Sequence, residues 1–404
     1  YKDQNTAIVF DNTSFVNERQ KLEINVYKLD KDDEKLLEGA EFSLYAKEDI
    51  INYKGEIILK ENELIETTTS DEKGKATFKA DLPLLDFLIK ETKAPKGYIL
   101  SDEVIIVNSE YQGQDIKILN LEYDMKNEKV QGYLEITKVD SKTKEKLEGA
   151  TFGIYDMTNN KIAQITTDET GKAKSELIPY GKYYAKELDT GSVYYILNEN
   201  TYEFEIVENN EIVPLTIEND SVDIEVTVDK KGTTEIKPGE KVNYEFSNVG
   251  NASNVYLENF KWFDYIPTDY IRIETMTTGT WNQDLTYNVY YKTNKSDDYV
   301  LFKENLKTTE NYDLDFTTIE FADDEYIVET MFDFGKVDVG FKEDTKPTMV
   351  CKSFDTLKES DTFTNYTKTV GVYFGVTAEA NSKWTTITHI PEEKHEPKLP
   401  RTGK

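Results

Sequence analysis

Apolar and polar residues alternate with a period of two along most of this chain. Ile24 and Val26, Leu134 and Ile136, and Leu215 and Ile217 each sit two apart with a polar residue between them, and Phe87 and Ile89 share the same spacing. On a pleated strand, residues i, i+2 and i+4 share a face, so these rows predict half-buried strands rather than helices. Turn signals such as Glu-Lys-Gly-Lys (72–75) and Glu-Thr-Gly-Lys (169–172) divide the rows. Short strands every 8–12 residues, rich in Val, Ile, Tyr, Phe and Thr, predict an all-β chain of tandem β-sandwich modules.

An internal repeat defines the modules. Leu37-Glu38-Gly39-Ala40-Glu41-Phe42 recurs as Leu147-Glu148-Gly149-Ala150-Thr151-Phe152, 110 residues on, and Lys28-Leu29-Asp30 recurs as Lys138-Val139-Asp140 at the same offset. The turn block Asp71-Glu72-Lys73-Gly74-Lys75-Ala76 returns as Asp168-Glu169-Thr170-Gly171-Lys172-Ala173 at an offset of 97. The drop in offset predicts about 13 extra residues in the first copy, within 46–66, as a hairpin or long loop. The expected modules are 21–126 and 127–220. Residues 221–391 do not repeat them. That segment opens on the alternating Ile224, Val226 and Val228, and its tryptophans Trp262, Trp281 and Trp384 suit a larger sandwich core. Residues 1–20 read as the remnant of a preceding β domain, and 392–404 as a polar tail; both ends suggest a piece cut from a longer precursor.

Several core-directed rows end on polar side chains. Lys28 continues Ile24 and Val26, Glu91 continues Phe87 and Ile89, and Asn120 continues Ile116 and Ile118. In the second copy, Lys138 continues Leu134 and Ile136, Glu187 continues Tyr183 and Ala185, and Asn219 continues Leu215 and Ile217. A single lysine at a strand end usually snorkels to water. Three polar residues on inward rows, present twice, instead predict a buried amine, carboxyl and carboxamide that meet. Burial disfavours charge, so the amine becomes a nucleophile and the protonated carboxyl donates to the amide carbonyl oxygen and polarises it. Attack on the carboxamide carbon expels ammonia and leaves a Lys–Asn isopeptide bond, with proximity supplying the drive.

Composition narrows the choice of function. The formal charge is −30, which repels nucleic acid and anionic membrane. One cysteine, Cys351, excludes internal disulfides, and the two histidines, His389 and His395, lie near the end. No zinc site, Ser-His-Asp set, phosphate loop or cofactor motif is present in the sequence, so no cofactor or metal is expected and the chain does not read as an enzyme. No apolar run is long enough to span a membrane.

The lysine-bearing first strand, the Leu-Glu-Gly-Ala-x-Phe block and Lys90-Glu91-Thr92-Lys93-Ala94-Pro95-Lys96-Gly97-Tyr98 resemble the prealbumin-like B-type domains of collagen-binding adhesins and SpaA-type pilins. The resemblance covers 21–220. It implies two prealbumin-like Greek-key domains with intramolecular isopeptide bonds, Lys28 to Asn120 promoted by Glu91 and Lys138 to Asn219 promoted by Glu187. The second copy departs from the pattern after its glutamate, at Leu188-Asp189-Thr190-Gly191. Residues 221–391 resemble more loosely the Ig-like, adhesin-type modules that precede wall-sorting signals. The crosslinked members of that group use Lys, Asp and Asn in chain order, which implies Lys230, Asp264 and Asn365 here; alternatively Val228 occupies the lysine position and no bond forms. Leu399-Pro400-Arg401-Thr402-Gly403 resembles the LPxTG sorting signal of Gram-positive surface proteins, which sortase cuts between Thr and Gly. The implied partners are sortase and peptidoglycan, and the implied location is the cell surface, covalently attached to the wall. The leading expectation is an anchored stalk or pilin-like protein. The alternatives are an adhesin that uses 221–391, with Tyr256, Trp262, Tyr265, Tyr270 and Trp281 as a platform for a host matrix protein or glycan, and the accessory tail of an enzyme encoded upstream.

Overall fold

A computed structural model describes residues 20–113 and 115–390. The 1–20 remnant, save Gln20, and the tail with Leu399, Pro400, Arg401, Thr402 and Gly403 lie outside the described residues. Among the described residues strands account for the regular structure, with one 3-10 turn at Phe316–Thr318. The chain divides near residue 220 into two compact units. The first unit holds two hydrophobic cores and the second holds one.

The first core lies between two sheets. One has the strand order Lys75–Leu82, Lys21–Asp30, Ile118–Asn127; the other runs Leu64–Thr69, Glu41–Ala46, Phe87–Lys93, Val104–Val107. The second core repeats the plan. Gln131–Asp140 pairs with Lys172–Lys174 and Ile212–Asn219 in one sheet, and Thr151–Asp156 and Gly181–Asp189 are central in the other. The extra residues of the first copy form the small hairpin of Ile50–Ile51 and Ile57–Leu59.

In each copy the first and last strands run parallel and adjacent, with Asp30 opposite Asn127 and Asp140 opposite Asn219. The repeated glycine turn fixes the backbone of the lysine. Lys28 N–H donates to Gly74 O at 2.8 Å and Lys138 N–H to Gly171 O at 2.7 Å. Both glycines have positive φ, and a Cβ on either would lie 2.8 Å from the lysine carbonyl oxygen. Only glycine meets both demands.

The third core is larger. A five-stranded sheet carries Val226–Gly232 at its edge, next to Lys241–Asn251; a seven-stranded sheet has Thr362–Tyr373, Leu257–Tyr265 and Ile327–Val337 side by side. Trp262 and Trp281 pack with Phe332, Phe334 and Phe341 inside it. Both indoles are buried, so neither belongs to a surface platform; Tyr256, Tyr265 and Tyr270 are half-buried.

Candidate functional site: three buried amine, carboxyl and carboxamide clusters

Each lysine row delivers its amine into the dry interior. Lys28 and Lys138 have no exposed surface, and Glu91 and Glu187 are buried with them. Lys28 Nζ stands 3.0 Å from Glu91 Oε1, and Lys138 Nζ 3.3 Å from Glu187 Oε1. Burial pushes both amines below the ordinary lysine range, against the opposing pull of the neighbouring glutamate. The repeated Leu-Glu-Gly-Ala-x-Phe block supplies one wall of the site. Phe42 pairs with Glu91 and Phe152 with Glu187 on neighbouring strands, and each ring lies about 6 Å from its amine (5.7 and 6.0 Å).

The carboxamide of the first domain is Asn127, not Asn120. Asn120 lies opposite Glu23 on the outward face and is exposed, as are Ile116 and Ile118. The inward row is Leu119, Leu121, Tyr123, Met125 and Asn127, one residue out of phase with the expected row; a shift of one residue exchanges the two faces of a strand. Asn127 is buried, its Oδ1 accepts from Lys28 Nζ, and its Nδ2 donates to both oxygens of Glu91 at 2.9 Å. The second domain has the expected residues in the same arrangement. Lys138 Nζ donates to Asn219 Oδ1, and Asn219 Nδ2 donates to Glu187 Oε1 at 2.9 Å. In both domains the carboxyl meets the amide nitrogen. That differs from the expected contact with the amide oxygen, and it suits a proton relay between the two nitrogens better than polarisation of the carbonyl.

A signal for Asn127 was available in the sequence. Met125-Lys126-Asn127-Glu128 parallels Ile217-Glu218-Asn219-Asp220 as an apolar residue, a charge, the asparagine and an acid. The Glu-to-Asn spacing is 36 residues in the first domain and 32 in the second, so the first copy is also longer before its last strand.

The third domain brings Lys230, Asp264 and Asn365 together by a different route. Lys230 comes from the five-stranded sheet, and Asp264 and Asn365 from adjoining strands of the seven-stranded sheet. All three are buried. Lys230 Nζ pairs with Asp264 Oδ2 between the rings of Tyr244 and Phe246, both 4.5 Å away. Asn365 Nδ2 donates to Asp264 Oδ1 at 3.1 Å, while its Oδ1 is buried without a partner. Burial pushes the Asp264 carboxyl up, against Lys230, and the Lys230 amine down, against Asp264. Val228 lies two residues before Lys230 on the same face of the strand and contributes to the core. Cys351 is also buried, and burial raises its thiol pKa. Among the described residues no cluster of His, Cys, Asp and Glu could hold a metal, and no helix is long and apolar enough to cross a membrane.

The family model for the SpaA prealbumin-like fold domain matches residues 22–122 and again 132–221. The chain carries two SpaA domains. A curated relative, the trypsin-resistant surface T6 protein of Streptococcus pyogenes serotype M6, is 33% identical over 132 residues, which cover 31% of this chain and 24% of the relative. The match therefore spans about a quarter of that protein's length. Among solved structures, the Bacillus anthracis TIE protein is 20% identical with a TM-score of 0.41, covering 91% of this chain and 50% of that one. GBS52, the minor pilin of Streptococcus agalactiae, is 19% identical with a TM-score of 0.23, covering 50% of this chain and 96% of that one. In this chain the SpaA domains are the two that hold the Lys28 and Lys138 clusters.

Proposed function

We propose that this chain is a stalk segment of a Gram-positive surface protein, braced by isopeptide bonds that it forms itself and attached to the cell wall by sortase through Leu399–Gly403. The observation that carries the bracing is the contact of a buried lysine with an asparagine carbonyl, while one carboxyl reaches both nitrogens and burial holds the amine below its ordinary range.

The reaction follows from those contacts. The lone pair of neutral Lys28 Nζ adds to Cγ of Asn127. Glu91 Oε1 accepts a proton from Nζ and delivers it to Nδ2, which lies 2.9 Å away. The Cγ–Nδ2 bond breaks, ammonia leaves, and the Nζ–Cγ amide remains. Protons balance and Glu91 ends as it began. Glu187 does the same for Lys138 and Asn219, and Asp264 for Lys230 and Asn365. The product carries no net charge on the lysine nitrogen, which removes the cost of a buried ammonium. Each cluster reacts once, and no external substrate is turned over.

A Thr-Gly cleavage joins the chain to an amine of the peptidoglycan. The SpaA domains, the relation to a streptococcal surface protein and the terminal motif all support this placement. Intact mass tests the bracing: folded protein is expected to be lighter than its sequence by one ammonia per bond, and an uncorrected mass sinks the proposal. Incubation with sortase and an oligoglycine amine tests the attachment, with a Thr402-linked product expected and none formed when Thr402 is changed to Ala.

A further inference from the structure

In both SpaA domains the second oxygen of the glutamate is held by a main-chain donor. Ser101 N–H donates to Glu91 Oε2 at 2.7 Å, and Asn198 N–H donates to Glu187 Oε2 at 2.7 Å. The donors follow their glutamates by 10 and 11 residues, in segments that lie outside the strands.

In the first domain this segment, Tyr98 to Ser101, touches the strands that carry Lys28 and Glu91 and the residue that follows Asn127. Tyr98 OH donates to Asp30 Oδ2 at 2.8 Å, two residues beyond Lys28. Ile99 N–H donates to the carbonyl of Glu128 at 2.8 Å, next to Asn127. Ser101 N–H reaches Glu91 itself. Asp30 is a firm anchor: it is buried, Lys129 Nζ lies 2.8 Å from its Oδ2, and Asp32 N–H donates to its Oδ1 at 2.8 Å. In the second domain the side chain of Asn198 adds a tie of the same kind, donating to the carbonyl of Glu218, the residue before Asn219, at 2.9 Å.

A glutamate side chain has three rotatable bonds, and Oε1 of Glu91 must face Nζ and Nδ2 together. One hydrogen bond on the other oxygen fixes the rotation of the carboxyl plane, and a main-chain donor does so without side-chain freedom of its own. We propose that the Tyr98–Ser101 strap is the positioning element of the crosslinking reaction: its Ser101 N–H orients the Glu91 carboxyl, and its ties to Asp30 and Glu128 set that carboxyl relative to the lysine and asparagine strands. This rests on the crosslinking reading above. The strap takes no part in bond making; it acts through Glu91.

The test uses the full chain made by cell-free synthesis. Samples are stopped in denaturing acid over time, and the Lys28–Asn127 and Lys138–Asn219 crosslinked peptides are counted by mass. The second bond is the internal reference. Ser101→Ala keeps the N–H and is expected to close both bonds at the parent rate. Ser101→Pro removes it and is expected to slow the first bond by up to about 100-fold, the scale of a displaced catalytic group, while the second keeps its rate. Hydrogen exchange of Lys21–Asp30 in a Lys28→Met background reports whether the first domain of the Pro variant is folded. If it is not, Tyr98→Phe decides: a several-fold lag of the first bond supports the strap. Equal rates of the first bond in the folded Pro variant and the parent, or in the Phe variant and the parent where the Pro variant is unfolded, overturn it. Absence of both crosslinks in the parent overturns the crosslinking reading itself.

Discussion

Replacing Lys28 with Met removes the proposed nucleophile of the first SpaA domain and leaves an apolar chain of similar length in its place. In the variant Glu91 and Asn127 remain to hydrogen-bond one another, and the Glu91 carboxyl, left buried without its amine, adds a destabilisation of its own. The change that remains is the lost closure of a 99-residue loop. By the chain-entropy argument, that closure stabilises by roughly 4–5 kcal/mol. For a domain of this size, each kcal/mol moves the melting temperature by about 4–8 °C, so the first domain is expected to melt on the order of 20 °C lower. The mass rises by one ammonia relative to the parent, after correction for the side chain.

Force spectroscopy gives the sharper reading. With the proposed bond in place, tension entering the parent at Lys21 is expected to cross from Lys28 to Asn127 and leave the domain, so that residues 29–126 carry no load. In Lys28→Met that segment is released. The 99 residue-to-residue steps from Lys28 to Asn127, at about 3.3–3.6 Å each, extend by roughly 330–360 Å. The variant is therefore expected to show an unfolding step of that length, reduced by the folded end-to-end distance, and the parent none. A step of this length in the parent, or an unchanged mass deficit in the variant, would refute the Lys28–Asn127 bond.

Three further outcomes follow from the same geometry. Asn127→Ala abolishes the bond of the first domain and Asn120→Ala does not, as peptide mapping will show; the reverse result would restore the outward-facing residue as the reacting one. Crosslinking in both SpaA domains requires the neutral amine, whose pKa in the fold lies below the ordinary 10.5. The neutral fraction grows as pH rises, so the rate climbs with pH and levels off before 10.5; a rate that falls with rising pH, or is still climbing above 10.5, contradicts a desolvated nucleophile. Lys230→Met restores one ammonia to the mass of the third domain, and no change there would mean that Lys230, Asp264 and Asn365 meet without reacting.

Much of this arrangement was legible in the residues. The period of two fixed which face Lys28, Glu91, Lys138 and Glu187 would occupy, because each sits on a strand whose apolar row is unbroken. Lys230, Asp264 and Asn365 came from the resemblance to crosslinked modules, and nothing local revealed that they arrive from two different sheets. Asn120 misled because Ile116 and Ile118 look like a core row, yet Ile118 is exposed on the outer face of a strand whose inner face carries Tyr123 and Met125, and Ile116 is exposed before that strand begins. Apolar alternation alone cannot choose between the faces when both carry large apolar residues. Parallel pairing with the first strand makes the choice, and that is a long-range contact. The strap was invisible for a related reason: its donor is a main-chain N–H, which any residue but proline provides, so Ser101 and Asn198 share a role without sharing a side chain.

The clusters also differ in what a bond would reinforce. In the SpaA domains the lysine and asparagine lie on adjacent parallel strands of one sheet. Parallel strands pulled from opposite ends are loaded along their length, so their ladder bonds share the strain until they fail together. A covalent bridge at the exit end removes that ladder from the load path. In the third domain the lysine belongs to one sheet and the asparagine to the other, so a bond there would tie the two layers across the aromatic core. Its edge strand, Val226–Gly232, has one ladder neighbour, Lys241–Asn251, and would otherwise be the first to peel. The two geometries thus answer two ways in which a sandwich fails under tension, shear of the terminal pair and detachment of an edge. A third domain that loses its edge strand at the same force with and without Lys230 would show that only the first of these is guarded.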